Sequence, residues 1–189
     1  MLRKVEKILH GLRYLRRYLF SDYNHLGKMI AFDSGVEISH PEFTSIGDYV
    51  HMQKDVWITC VPKNSQPLIK IGDHTDIGKR LFISCAKKVE IGKGVLIAPN
   101  VFISDHSHNY QNTKIPVKNQ GVTDPKPVEI GDGVWLGINV AILPGVKIGK
   151  NSVIGANSVV IKSIPDFCVA VGSPAKVVKR FHPRSKKWS

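Results

Sequence analysis

The stretch Val128–Ile164, VEIGDGVWLGINVAILPGVKIGKNSVIGANSVVIKSI, decides the fold. Counted in steps of six from Ile130, its positions are Ile130, Leu136, Ile142, Ile148, Ile154 and Val160, all aliphatic. The next residue is Gly131, Gly137, Gly149 or Gly155 at four of those six steps. Four places after the aliphatic residue stand Val134, Val140, Val146, Ser152, Ser158 and Ile164. A helix places apolar residues three and four apart, and a half-buried strand places them two apart. A strict six fits neither. It fits a short strand and a turn repeated around a three-sided coil, in which each repeat buries its apolar face only against its neighbours.

The same phase returns upstream in Ile46, Met52 and Ile58, in Ile71, Ile77 and Ile83, and in Ile91, Ile97 and Ile103. These fifteen hexads predict an all-β chain of five coils over residues 46–168. With parallel strands stacked ~4.8 Å apart, the coils would stand about 24 Å tall. The phase breaks between Ile58 and Ile71, between Ile83 and Ile91, and between Ile103 and Ile130. Each break reads as an extruded loop, the longest over residues 104–127.

At 189 residues the chain has the length of one modest domain. Its net charge is +12, from 27 Lys and Arg against 15 Asp and Glu, which favours an anionic partner. The basic residues crowd the two ends without interleaved aromatics and without a nucleic-acid-binding motif, so nucleic acid is not the expected partner. The phosphates of a small ligand, or a membrane surface, are. The three cysteines, Cys60, Cys85 and Cys168, form no C-x-x-C pair and no ladder of spacings, which points to a reducing cytoplasm. Cys85 falls within a coil, as a small buried hydrophobe does.

Leu2, Val5, Leu9, Leu12, Leu15 and Leu19 follow a spacing of three and four, with Arg3, Lys7, His10, Tyr14 and Arg17 on the other side. Residues 1–20 therefore read as an amphipathic basic helix. Its recurring charges exclude a signal peptide, and no stretch approaches the ~20 apolar residues of a spanning helix. A helix capping the open end of the first coil is one reading. A helix lying on anionic lipid at the inner face of the membrane is the other. Residues 21–45 complete the cap and lead into the first coil, with Val36 and Ile38 as candidates for an additional strand. The Pro-, Lys-, Asn- and Ser-rich segment 61–68 reads as a turn-forming insertion.

Chemistry is sought in the long break. It opens Ser104-Asp105-His106-Ser107-His108-Asn109-Tyr110, and a loop of this length in a compact repeat is more often functional than not. A single loop histidine is usually no more than a polar residue bonded to a nearby carbonyl. Here two of them stand at the root of the largest insertion, where a rigid coil would fix them, and that favours a general base.

The hexads, the run Ile97-Ala98-Pro99-Asn100-Val101 before Asp105-His106, and the segments Gly133-Val134-Trp135-Leu136-Gly137 and Pro144-Gly145-Val146-Lys147-Ile148-Gly149 resemble the hexapeptide-repeat acyltransferases. So does Val171-Gly172-Ser173-Pro174-Ala175-Lys176 after the last coil. Within that family the likeness is to galactoside and maltose O-acetyltransferases and to enzymes that acetylate bacterial surface polysaccharides, and it covers about residues 46–180. The resemblance implies a left-handed parallel β-helix, a homotrimer with active sites between subunits, acetyl-CoA as donor and a carbohydrate acceptor. Left-handedness enters only this way, since right-handed crossovers are the general rule.

The same resemblance assigns roles. His106 would be the base that deprotonates a sugar hydroxyl for direct attack on the thioester, with His108 in reserve and Asp105 and Trp135 lining the site. Trp135 would equally suit a corner packed on the coil. Ile138 and Ala156 would meet the pantetheine through backbone groups, and Ile161, Lys162, Lys176 and Lys179 the nucleotide end, whose phosphates suit ammonium groups. Residues 169–189 would then be a CoA-proximal segment with a basic tail. The asparagine and aspartate that galactoside enzymes place on the acceptor side fall near Gly78 and Ala86, which detaches acceptor identity from the likeness. No metal is expected. Two rival readings are a carbonic-anhydrase-like metalloenzyme, with His74 joining His106 and His108, and a non-catalytic scaffold with the loop as binding surface.

Overall fold

The computed structural model describes residues 22–62, 68–182 and 184–189; the expected helix over residues 1–20 lies outside them. Each hexad becomes a short strand and a turn because its aliphatic residue points inward and the positions around it turn the chain. The first coil is β1 (His25–Leu26), β2 (Ala31–Phe32) and β3 (Glu37–Ile38). The second is β4 (Thr44–Ile46), β5 (His51–Met52) and β6 (Trp57–Cys60), and the third β7 (Leu68–Ile71), β8 (Asp76–Ile77) and β9 (Phe82–Cys85). Then follow β10 (Lys88–Ile91), β11 (Leu96–Ile97) and β12 (Phe102–Ser104); β13 (Val128–Ile130), β14 (Trp135–Leu136) and β15 (Ala141–Ile142); and β16 (Lys147–Ile148), β17 (Val153–Ile154) and β18 (Val159–Val160).

Every third strand joins the same sheet. The first face is β1-β4-β7-β10-β13-β16, the second runs β2-β5-β8-β11-β14-β17, and the third is β3-β6-β9-β12-β15-β18. The ladders within these faces are parallel, with aliphatic partners in register such as Ile97 with Leu136 and Ile103 with Ile142. The result is a three-sided β-helix whose interior is the column of hexad residues: Ile46, Met52, Ile77, Ile83, Ile103 and Leu136 are all 0–1% exposed. The hydroxyls at interior hexad positions are not orphaned. Ser152 Oγ donates to Pro165 O (2.8 Å) and accepts from Cys168 N–H (3.1 Å), so a polar residue is accommodated by tying two coils together.

Two expectations are corrected. The coils begin one turn earlier than the periodicity indicates, because Leu26, Phe32 and Ile38 keep the six-residue step and their strands pair with the second coil. In this first of the described coils the three are only half-buried, so the segment's hydrophobic signal is weak. The break between Ile83 and Ile91 is also not an extruded loop. The strands β9 and β10 lengthen to four residues and only Ala86 and Lys87 stand between them. The corner from third to first face is widened there, and this corner carries the site.

After β18, Ile164 bridges in parallel to Ile148. The strand β19 (Cys168–Gly172) then adds to β17, and β20 (Ala175–His182) and β21 (Lys187–Trp188) fold back antiparallel, closing the second face. The outward residues of the first face form an alternating ladder in which Lys88 meets Glu90 (2.7 Å) and Lys147 meets Glu129 (3.2 Å). The third face instead stacks Trp57 on Phe82 with centroids 4.7 Å apart. Among the described residues no helix is long and apolar enough to cross a membrane.

Candidate active site

The chain leaves the prism after Ser104 at the third-to-first corner and re-enters at Val128, in register with Val89. The loop between is internally bonded. Its neck closes through Lys126 N–H to Asp105 O (2.7 Å) and Thr123 N–H to Ser107 O (2.8 Å), and His108 bridges antiparallel to Val122. Asn109 Nδ2 donates to Val122 O (2.9 Å), and Gln120 Nε2 reaches Asn112 O and Ile115 O.

Asp105 is fully buried at this neck, and its carboxylate fills the widened corner of the coil before it. The N–H groups of Ala86 (2.9 Å), Lys87 (2.7 Å) and Lys88 (2.8 Å) all donate to it, and the thiol of Cys85 lies 3.6 Å away. Its Oδ1 is 2.7 Å from Nδ1 of His106. Burial acts to raise the Asp105 pKa, but the bond with His106 and the three backbone N–H groups outweigh it and hold the carboxyl below its usual range. An ionised carboxylate only accepts, so this bond assigns the proton to Nδ1 and leaves the lone pair on Nε2.

Nε2 of His106 faces the Ser84 hydroxyl at 3.4 Å. Behind the ring, Ser104 Oγ donates to His106 O (2.8 Å), which fixes the turn. The imidazole is thus held from three directions and is nearly buried: His106 keeps 9% of its surface exposed. The arrangement can accept a proton from a hydroxyl delivered to Nε2. His108, two residues on, is exposed in the loop hairpin and does not share the Asp105 carboxylate.

The other sequence candidates lie elsewhere on the prism. Trp135 projects from the second face, half-exposed beside Leu96. Ile138 and Ala156 are exposed at the corner between second and third faces, where Asn157 N–H donates to Ile138 O (2.9 Å). That corner carries a ladder of side chains: Arg80 Nε donates to Asn100 Oδ1 (2.7 Å), Asn100 to Asn139 (2.9 Å) and Asn139 to Asn157 (2.9 Å). Ile161 and Lys162 occupy the same corner as His106, beyond the last coil, and Lys176 and Lys179 pair through β20 with Val171 and Val169. In a triangular section the second face is opposite the third-to-first corner. Asp105 and His106 are therefore brought together, and Trp135 and His106 are not.

His74 stacks on Tyr49 at the corner between first and second faces, centroids 4.9 Å apart, and so stands apart from His106 and His108. Among the described residues no group of three His, Cys, Asp or Glu side chains is placed to hold a metal ion. Cys85 is no nucleophile: its contact with Cys60, its burial and the Asp105 charge all push its pKa up. The residues missed from sequence are Ser84 and the Ala86–Lys88 backbone. A signal for Ser84 existed, since the hexad phase pairs it with Ser104.

A family model described as bacterial transferase hexapeptide (six repeats) matches residues 127–162. The galactoside O-acetyltransferase of Escherichia coli K12 is 44% identical over 77% of this chain and 68% of its own length. The chain belongs to the hexapeptide-repeat transferases. A probable acetyltransferase of Mycobacterium tuberculosis is 35% identical over 93% of this chain, which spans 57% of that relative's length. Among solved structures, a hexapeptide-repeat acetyltransferase of Vibrio cholerae complexed with acetyl-CoA superposes with a TM-score of 0.58 at 27% identity, covering 91% of this chain and 78% of that one. A hexapeptide-repeat transferase coil thus accounts for the prism.

Proposed function

We propose that this protein is an acetyl-CoA-dependent O-acetyltransferase acting on a hydroxyl of a carbohydrate, in the making of surface polysaccharide or lipopolysaccharide. The observation that carries the reading is the Asp105–His106 pair, 2.7 Å apart and buried, with Nε2 on the side away from the carboxylate, facing the Ser84 hydroxyl. A sugar hydroxyl is a weak nucleophile until a base takes its proton during attack, and a neutral imidazole does so near neutral pH. The hydroxyl oxygen attacks the thioester carbon directly while its proton passes to Nε2. The carbon–sulfur bond breaks, and the departing thiolate takes the proton from Nε2.

The coil is left-handed and the assembly a homotrimer in this reading. A shared site is supported by Trp135 and His106 occupying opposite parts of the prism, so that they meet only across subunits. A CoA groove would run along Ile138 and Ala156 toward Ile161, Lys162, Lys176 and Lys179, whose ammonium groups suit its phosphates. The exposed residues Ile138 and Ala156 fit a wall for the pantetheine arm. A cytoplasmic protein, touching the membrane through its N-terminal segment, would stand where activated sugars are assembled.

A screen of sugars, nucleotide sugars and lipid-linked oligosaccharides with labelled acetyl-CoA tests the proposal. Label should appear in an alkali-labile ester on one acceptor class. Transfer to no acceptor, together with no binding of CoA, would favour the scaffold reading.

A further inference from the structure

Ser84 and Ser104 are register partners on the third face, one coil apart, yet their hydroxyls serve different groups. Ser104 Oγ is spent on the backbone, donating to His106 O and accepting from His106 N–H (3.3 Å). Ser84 Oγ is turned to the imidazole, 3.4 Å from Nε2. The contact is slack beside the ~2.8 Å at which a hydroxyl is best paired. The two polar atoms stand side by side, and each residue keeps 9% of its surface open. A hydroxyl carries one hydrogen and two lone pairs, so Ser84 can turn from Nε2 to a ligand without losing its own hydrogen bonding.

Any acceptor hydroxyl that donates to Nε2 arrives within reach of Ser84. Neighbouring hydroxyls on a sugar ring lie about 3 Å apart, close to the length of a hydrogen bond. One can therefore bind Nε2 while the next binds Ser84 Oγ, a two-point match that a single alcohol cannot make.

We infer that Ser84 determines acceptor specificity: the substrate is a vicinal diol, reacting through the hydroxyl on Nε2 while the adjacent hydroxyl is held by Ser84 Oγ. The inference rests on the acetyltransferase reading above and narrows its acceptor class. The second hydroxyl stays intact and serves only to place the first. The ester forms at one oxygen, the carbon–sulfur bond breaks, and the proton goes through Nε2 to the leaving sulfur.

The test uses the full-length protein with acetyl-CoA and methyl glycosides of galactose, glucose and mannose, each beside its monodeoxy analogues. For the wild type, removing the hydroxyl next to the acetylated position should lower kcat/KM roughly 10-fold or more, because a buried partner is left unpaired. Ser84→Ala should lower kcat/KM for the diol and barely change it for the deoxy sugar, so that the gap closes. Ser84→Thr should keep the gap. A purely structural role would lower both substrates alike. Wild-type protein that acetylates diol and deoxy sugar equally, or a Ser84→Ala variant that still discriminates, overturns the inference while leaving the acetyltransferase reading intact. Failure to acetylate any of these sugars, or any acceptor of the wider screen, overturns both. Should Ser84→Ala not fold, the wild-type comparison decides alone.

Discussion

Asp105 Oδ1 and Nδ1 of His106, on consecutive residues, lie 2.7 Å apart at the root of the extruded loop. Neighbours in sequence rarely face one another on a strand, where successive side chains point to opposite sides. Here the chain has just left β12, and the turn that begins the loop brings both side chains to the same corner. The His106→Ala variant should lose about 100-fold or more in turnover with CoA affinity unchanged, as expected for removal of a base that acts only in the transition state. His108→Ala should stay near wild type. Steady-state kinetics with calorimetric CoA titration checks both; a dead His108→Ala beside an active His106→Ala would transfer the role.

Asp105→Asn should cost about 100-fold or more in turnover, because an amide no longer enforces the proton on Nδ1. Stability should follow with a defined pH dependence. The folded pKa of Asp105 is depressed, so its contribution is present above the unfolded carboxylate value of about 3.9 and is lost as pH falls through the folded value. Thermal melts should therefore show Asp105→Asn less stable than wild type at neutral pH. The difference should narrow in acid, below about pH 4; a gap that is constant across that range would count against an ionised Asp105.

Light scattering should give a mass about three times 21.0 kDa. In the proposed shared site Trp135 of one subunit meets His106 of the next, so Trp135→Ala and His106→Ala proteins, mixed and refolded together, should regain activity that neither has alone. An active monomer, or mixtures as inert as their parents, would remove the shared site.

Replacing Lys176 and Lys179 together with Ala should raise KM for acetyl-CoA and leave kcat nearly unchanged, since ground and transition states lose the same contact. The difference from wild type should shrink as salt rises, because exposed charge pairs are screened. An equal fall in kcat would place these lysines elsewhere in the reaction.

Gly137→Ala should destabilise the coil by about 1–3 kcal/mol. A Cβ there would meet the backbone nitrogen of Ala156 in the next coil at 2.7 Å, and backbone cannot yield as a side chain does. At Gly94 a Cβ has nothing within 4 Å, so Gly94→Ala carries only the strain of its φ of +62°. Equal melting temperatures for Gly137→Ala and wild type would show that the coils can spread.

The hexads made the prism legible because burial in a β-helix is local: Ile130, Leu136 and Ile142 each mark a strand without reference to distant sequence. The first coil was harder to see because Leu26, Phe32 and Ile38, among the described residues, have a coil on one side only and are half-buried. Lengthened strands at Cys85 and Lys88 looked like a loop for a simpler reason. Two residues added to a six-residue step change the phase identically whether they extend strands or leave the sheet. Of the site, Asp105 and His106 could be read as a motif, whereas the backbone partners of Asp105 could not. Backbone N–H groups at Ala86, Lys87 and Lys88 have no sequence signature, since any residue but proline supplies them.

The clasped neck of the loop separates two kinds of change. Lys126 N–H on Asp105 O and Gly145 N–H on Lys126 O lock the outgoing and returning chains to the prism, and β13 resumes in register with β10. Nothing beyond that clasp is needed to set the register of the coils. The residues beyond the Ser107–Thr123 rung of that neck, 108–122, form an exchangeable cassette: their length and chemistry can drift to suit a new acceptor while the imidazole, its carboxylate and the column of isoleucines stay where they are.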